Sequence, residues 1–200
     1  VADTTILKTA IADGDDLTQY CTSKIVDMSG LFSEAPNFNQ DISSWDVSNV
    51  TDMVEMFRDA SLFNQDIGNW DVSNVTNISR MFNTATAFNQ DIDNWDVSGV
   101  IEMRGMFYEA RAFNQDIGNW DVSSVTIMGA MFAGATAFNE DFGNWDVSNV
   151  TEMGYMFYSA SSFNQDLTQW CVSNISSIPS GFSTNSALTA SNHPVWGTCP

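Results

Sequence analysis

Six aspartates, Asp41, Asp66, Asp91, Asp116, Asp141 and Asp166, recur at one position, each 25 residues after the last. A carboxylate row at fixed spacing has two chemistries open to it. It can accept hydrogen bonds from backbone N–H groups in a turn, or it can hold hard divalent cations, which prefer carboxylate and carbonyl oxygens. On stacked coils roughly 5 Å apart, neighbouring carboxylates repel by about 0.8 kcal/mol in bulk water and roughly 3 kcal/mol at an effective dielectric of 20. The row therefore needs turn donors, Asn partners, bound cations or a cationic ligand. Calcium at Asp66, Asp91 and Asp116 is one candidate cofactor, although no D-x-D-x-D-G loop or RTX-type nonapeptide occurs.

A second row, Asp46 to Asp146, precedes Val-Ser in each copy and reads as an Asx-turn. Asn64, Asn89 and Asn114 stand beside the first row. Neutral amides carry both donors and acceptors, so they can bond to one another along a stack. With the Asp41 to Asp166 row they also form a candidate ligand-binding face. Tyr108, Tyr155 and Tyr158 fall at variable positions and form a candidate aromatic contact patch. Methionines such as Met53, Met56 and Met81 lie on an apolar stripe without His or Cys, which reads as packing rather than soft-metal ligation. The tryptophans read as core or stack edge. His193 is the lone histidine, expected to be solvated in the tail. An active site needs residues that break the repeat and converge. The breaks here are scattered, and the expectation is a protein that is not an enzyme.

These residues must be positioned by a repeat of 25 residues. Trp45, Trp70, Trp95, Trp120, Trp145 and Trp170 mark it, followed by Phe57, Phe82, Phe107, Phe132, Phe157 and Phe182. Such spacing predicts one coil of a solenoid per copy. Val50, Met53, Met56, Phe57 and Ala60 have helical spacing, with Ser48 or Asn49 as N-cap and Asp52 suggesting a capping box. Phe63-Asn64-Gln65-Asp66-Ile67 reads as a strand, and Gly68-Asn69 as a turn. The expected fold class is α/β: a right-handed leucine-rich-repeat-like solenoid of about six to seven coils, parallel strands on one face and short helices on the other. Residues 1–16 read as an N-terminal cap, 17–182 as the repeat domain and 183–200 as a C-terminal cap.

The stretch WDVSNVTDMVEMF, Trp45 to Phe57, and its copies resemble the repeat of the BspA-like leucine-rich-repeat surface proteins, over about Leu17 to Phe182. That resemblance implies a leucine-rich-repeat-like fold displayed on a cell or secreted, with adhesion to host or matrix components.

Six basic against twenty-five acidic residues give a net charge of −19. That field repels phosphate backbones and anionic lipid, which argues against nucleic-acid and membrane-surface partners. No apolar run reaches the length of a membrane span. The chain opens on Val1 without a signal peptide, which suggests a mature or trimmed form. Cys171 and Cys199 lie 28 residues apart, close to one coil, and are expected to form a disulfide suited to an oxidising, extracellular location. Cys21, about 30 Å away by coil count, is left as a lone thiol. Together these features predict an extracellular or cell-surface, non-enzymatic binding or adhesion module for a glycan, protein or matrix ligand. The alternatives are a structural spacer within a larger surface protein, and ice- or crystal-surface binding.

Overall fold

The computed structural model describes residues 3–200. Helix α1 (Thr4–Asp13) comes first. Asp3 caps it by accepting from the Ile6 N–H at 2.9 Å, and Gly14 closes it at φ 74°. Two short 3-10 turns, Leu17–Gln19 and Ala190–Asn192, are the other helical elements among the described residues. Between them the chain is a stack of coils built from tight turns and extended links.

The α/β leucine-rich-repeat-like solenoid is therefore corrected. Among the described residues no β-strand forms, and the coils carry no α-helix. Isolated parallel bridges join them instead, from Asp27 to Asp52 and on through Asn77, Glu102 and Ile127 to Glu152. The reason lies in where the backbone N–H groups go. Met56, Arg58 and Ala60 donate three residues back, to the carbonyls of Met53, Glu55 and Phe57. The alternate groups, on Met53, Glu55, Phe57 and Asp59, donate to Asn77, Ser79, Met81 and Asn83 of the next coil. An α-helix would bond them all four residues back within the segment.

This alternation needs left-handed residues: Glu55 and Asp59 at φ 56° and 62°, then Arg80 and Thr84, Gly105 and Glu109, Ala130 and Gly134, Tyr155 and Ser159. Such a conformation costs a non-glycine residue about 1–2 kcal/mol, offset here by the cross-coil bonds those residues donate. Val50, Met53, Met56, Phe57 and Ala60 are nonetheless fully buried, so the apolar spacing marked the inside correctly while misnaming the backbone. Asp52 makes no capping box; its Oδ1 accepts from the Val54 N–H at 2.8 Å.

The strand reading of 63–67 fails for a related reason. Phe63 and Ile67 are buried, Asn64 and Gln65 half-buried, and Asp66 exposed. An apolar period of four belongs to a turn, whereas a pleated strand alternates every second residue.

Two phenylalanine columns form the core. Within a coil the rings of Phe57 and Phe63 stack at 3.9 Å, as do Phe82 with Phe88 and Phe107 with Phe113. Between coils Phe57 lies 5.6 Å from Phe82, and Phe63 lies 5.9 Å from Phe88. The methionines pack in this core. The six repeat tryptophans, Trp45 to Trp170, are buried too, at most 4% exposed, so none of these six is a platform for an external ligand, while Trp196 is half-buried.

Phe182 departs from its expected row. The Phe157 N–H donates to the Phe182 carbonyl where Phe57 donates to Met81, and the left-handed pair recurs at Gly181 and Asn185, 26 residues after Tyr155 and Ser159. One residue has been added at this step. Phe182 thus takes the slot of Met156, and its ring meets Phe157 edge-on at 90° rather than stacking. The stack is closed below by α1, through buried Leu7 and Ala10, and above by a segment that buries Leu188 and Pro194.

Candidate functional site

The exposed surface is made by Asx-turns. In the first row one carboxylate oxygen accepts from the N–H two residues on: Ser43 for Asp41, Gly68 for Asp66, Asp93 for Asp91, Gly118 for Asp116, Gly143 for Asp141 and Thr168 for Asp166. All six side chains are exposed. Asp16 makes the same turn with Thr18 and extends the row to a seventh member. It sits one period before Asp41, so the signal for it was present in the spacing.

The second row repeats the device with Ser. Asp46, Asp71 and Asp96 accept from both the N–H and the hydroxyl of Ser48, Ser73 and Ser98, the hydroxyl contact being 2.6 Å each time. Asp121 and Asp146 accept from the N–H groups of Ser123 and Ser148. These serines hold Asp46, Asp96, Asp121 and Asp146 below the usual carboxylate range. Thr18, Ser43 and Thr168 act likewise on Asp16, Asp41 and Asp166. Where this row ends, the Cys21 sulfur lies 3.4 Å from the Ser23 hydroxyl and the Cys171 sulfur 4.0 Å from that of Ser173, in the same relation.

No group of three or more His, Cys, Asp or Glu side chains arranged to hold a metal ion occurs among the described residues. Asp66, Asp91 and Asp116 each close a turn of their own, on the N–H groups of Gly68, Asp93 and Gly118.

The asparagines form a ladder. The N–H groups of Asn64, Asn89, Asn114, Asn139 and Asn164 each donate to the side-chain oxygen of the asparagine one coil before, at 2.8–2.9 Å. Gln90 and Gln115 brace it through Asn64 and Asn89. The amide oxygens of Asn64, Asn89 and Asn114 are thereby committed to holding the stack. Other polar rows are committed similarly: the Thr76 hydroxyl donates to the Thr51 carbonyl, and the Asn74 amide to that of Ser48.

Tyr155 and Tyr158 meet edge-on with ring centroids 5.9 Å apart and remain substantially exposed. Tyr108 is exposed two coils earlier, with buried Ala133 at the corresponding position of the coil between them.

The four arginines lie in the turn segments, with Lys8 on α1 and Lys24 in the first coil. Arg58 and Arg80 both pair with Glu55, at 2.9 and 3.0 Å, Arg111 pairs with Glu109 at 2.8 Å, and Arg104 reaches Glu152 two coils away across Gly129. From Asp41 to Asp166 the loops that carry the two aspartate rows contain no Lys or Arg. The acidic surface is therefore uncompensated.

His193 is half-buried rather than solvated. Its Nε2 lies 3.0 Å from the Ser183 hydroxyl, its ring packs on Phe182, and burial lowers its pKa. The structure joins Cys171 to Cys199 and leaves Cys21 exposed and free. No helix among the described residues is long and apolar enough to cross a membrane.

Coils of 25 residues, locked by axial hydrogen bonds, define a repeat protein whose chemistry lies on its surface rows. The chain belongs to the family described as Mycoplasma protein of unknown function, DUF285, whose model matches residues 4–111 and again 86–196. The two matches overlap by about one coil, as a periodic sequence allows. No curated protein and no solved structure matches the chain.

Proposed function

We propose that this protein is a non-enzymatic binding or adhesion module acting outside the cell or at its surface, and that it engages a glycan, protein or matrix ligand through its acidic rows. The observation that carries this reading is the fixed, exposed and uncompensated carboxylate array. Each turn holds one oxygen of Asp41 to Asp166 and leaves the side chain exposed, on a core whose rings repeat at regular intervals. A rigid array loses little entropy on binding and favours cationic surfaces. The Cys171–Cys199 disulfide supports an oxidising location. The likeness of the D-V-S-N-V-T-x-M-x-x-M-F copies to BspA-like surface proteins supports it as well.

A spacer role within a larger surface protein is the second reading, favoured by the commitment of the Asn and Thr rows to the stack itself. Glycan and matrix-protein arrays, run with and without calcium, separate the two. Reproducible capture on a defined subset of spots supports a binder. Its absence under both conditions supports a spacer, and capture only with calcium would assign the cation a role.

A further inference from the structure

At the N-terminal end of the stack a repeated rung lacks its partner. Phe63 stacks on Phe38 at 5.8 Å, Phe88 on Phe63 at 5.9 Å, and the column continues to Phe163. Beside each ring an asparagine N–H donates to the asparagine one coil before, starting with Asn64 on Asn39. One period before Phe38 and Asn39 stand Asp13 and Gly14, which supply neither a ring nor an amide. Phe38 is consequently half-buried, while Phe63 and the later rings of its column are fully buried. Among the described residues the Asn39 N–H meets no acceptor.

These groups line a cavity of about 290 Å³ between Ile11 of α1 and the segment 35–40. That volume is close to the lower end of the roughly 300–1,000 Å³ range for small-ligand sites.

We propose that this cavity binds an extended peptide segment of a partner protein in which an aromatic residue precedes asparagine. The aromatic ring stacks on Phe38, and the asparagine side-chain oxygen accepts from the Asn39 N–H. The logic is that of an exposed sheet edge, whose unpaired donors template the next strand while a pocket selects its side chain. A second copy of this chain does not fit the role. Its Phe-Asn pairs from Phe63-Asn64 onward are built into the stack, and its far end is closed. There the Thr189 N–H occupies Asn164 Oδ1, the Asn192 amide reaches the Asn164 carbonyl, and the ring column ends in buried Leu188. The proposal is independent of the acidic rows.

The test is titration of the isotope-labelled protein with a blocked Ala-Phe-Asn-Gln tetrapeptide, read by amide and aromatic resonances. Saturable shifts are expected at Asn37, Phe38 and Asn39. Binding should weaken about tenfold when the peptide asparagine or phenylalanine becomes alanine. Two protein variants guard against a trivial result. Phe38→Leu keeps the apolar fill but removes the stacking ring. Gly14→Asn sets an amide one period before Asn39; the left-handed backbone at φ 74° tolerates asparagine, and a Cβ there meets nothing within 4 Å. Both are expected to fold and to bind the peptide more weakly. No saturable change at Asn39 up to about millimolar peptide, binding of either alanine peptide as tight as that of the parent peptide, or undiminished binding by either folded variant would overturn the proposal.

Discussion

The indole N–H of Trp95 donates to the backbone carbonyl of Ile67, 3.0 Å away in the preceding coil. The same bond joins Trp70 to Ile42 and Trp120 to Ile92, so each tryptophan staples its coil to the one before. Trp95→Phe keeps most of the apolar bulk but removes one of two donors to the buried Ile67 carbonyl, which retains the Trp70 N–H at 3.1 Å. The expected cost is about 0.5–1.5 kcal/mol, measured by chemical denaturation. An unchanged midpoint would mean that the staple contributes nothing.

Turn aspartates make stability depend on pH in a defined direction. Ser98 and Ser148 lower the pKa of Asp96 and Asp146 below the ordinary 3.8. The stability they contribute is therefore present above the unfolded value and lost as pH falls through the folded one. Replacing both serines with alanine should lower Tm at neutral pH. The difference from the unaltered protein should vanish once pH falls below both values. A difference that persists unchanged in acid would contradict the assignment.

Left-handed positions give a test of the backbone that an α-helix would answer with the opposite sign. Ala130, at φ 56°, has no polar side chain to lose. Ala130→Gly should stabilise by up to about 1 kcal/mol, the relief of strain being partly offset by glycine's freedom in the unfolded chain. Gly105→Ala, also at φ 56° and with 3.5 Å of clearance for a Cβ, should cost about 1 kcal/mol. In a helix both signs would reverse.

The period, the inward rows and the serine-bound aspartates were legible in the sequence because each rests on local spacing or short-range turn chemistry. The backbone was not. Apolar residues at Val50, Met53, Met56, Phe57 and Ala60 suit a helix and an alternation of turns with cross-coil bonds equally well, since both bury the same stripe. The glycines held the warning: Gly30, Gly105 and Gly134 fall on the two left-handed slots, and glycine is a poor helix former. The added residue before Phe182 was masked because Phe182 still falls 25 residues after Phe157. The open rung at Phe38 and Asn39 depends on what Asp13 and Gly14 fail to supply, which no pattern within one coil displays.

The Cys171–Cys199 bridge should persist in solution and leave Cys21 as one free thiol per chain under denaturing, non-reducing conditions. Converting both bridged cysteines to serine should cost about 3 kcal/mol on the chain-entropy model. A count of three free thiols would remove the disulfide from the support for an extracellular location.

The central claim is that the exposed aspartate row contacts the ligand. Its most direct measurement is capture on glycan and matrix-protein arrays by the unaltered protein and by the Asp66→Asn, Asp91→Asn, Asp116→Asn triple variant, at about 0.05 M and about 0.5 M salt. Asparagine retains a turn-accepting oxygen, so the variant should fold as well or better at low salt, with the repulsion along the row relieved. Capture of the unaltered protein should fall with salt, and the variant should lose most of its low-salt capture. A folded variant captured on the same spots with the same salt dependence would contradict the account.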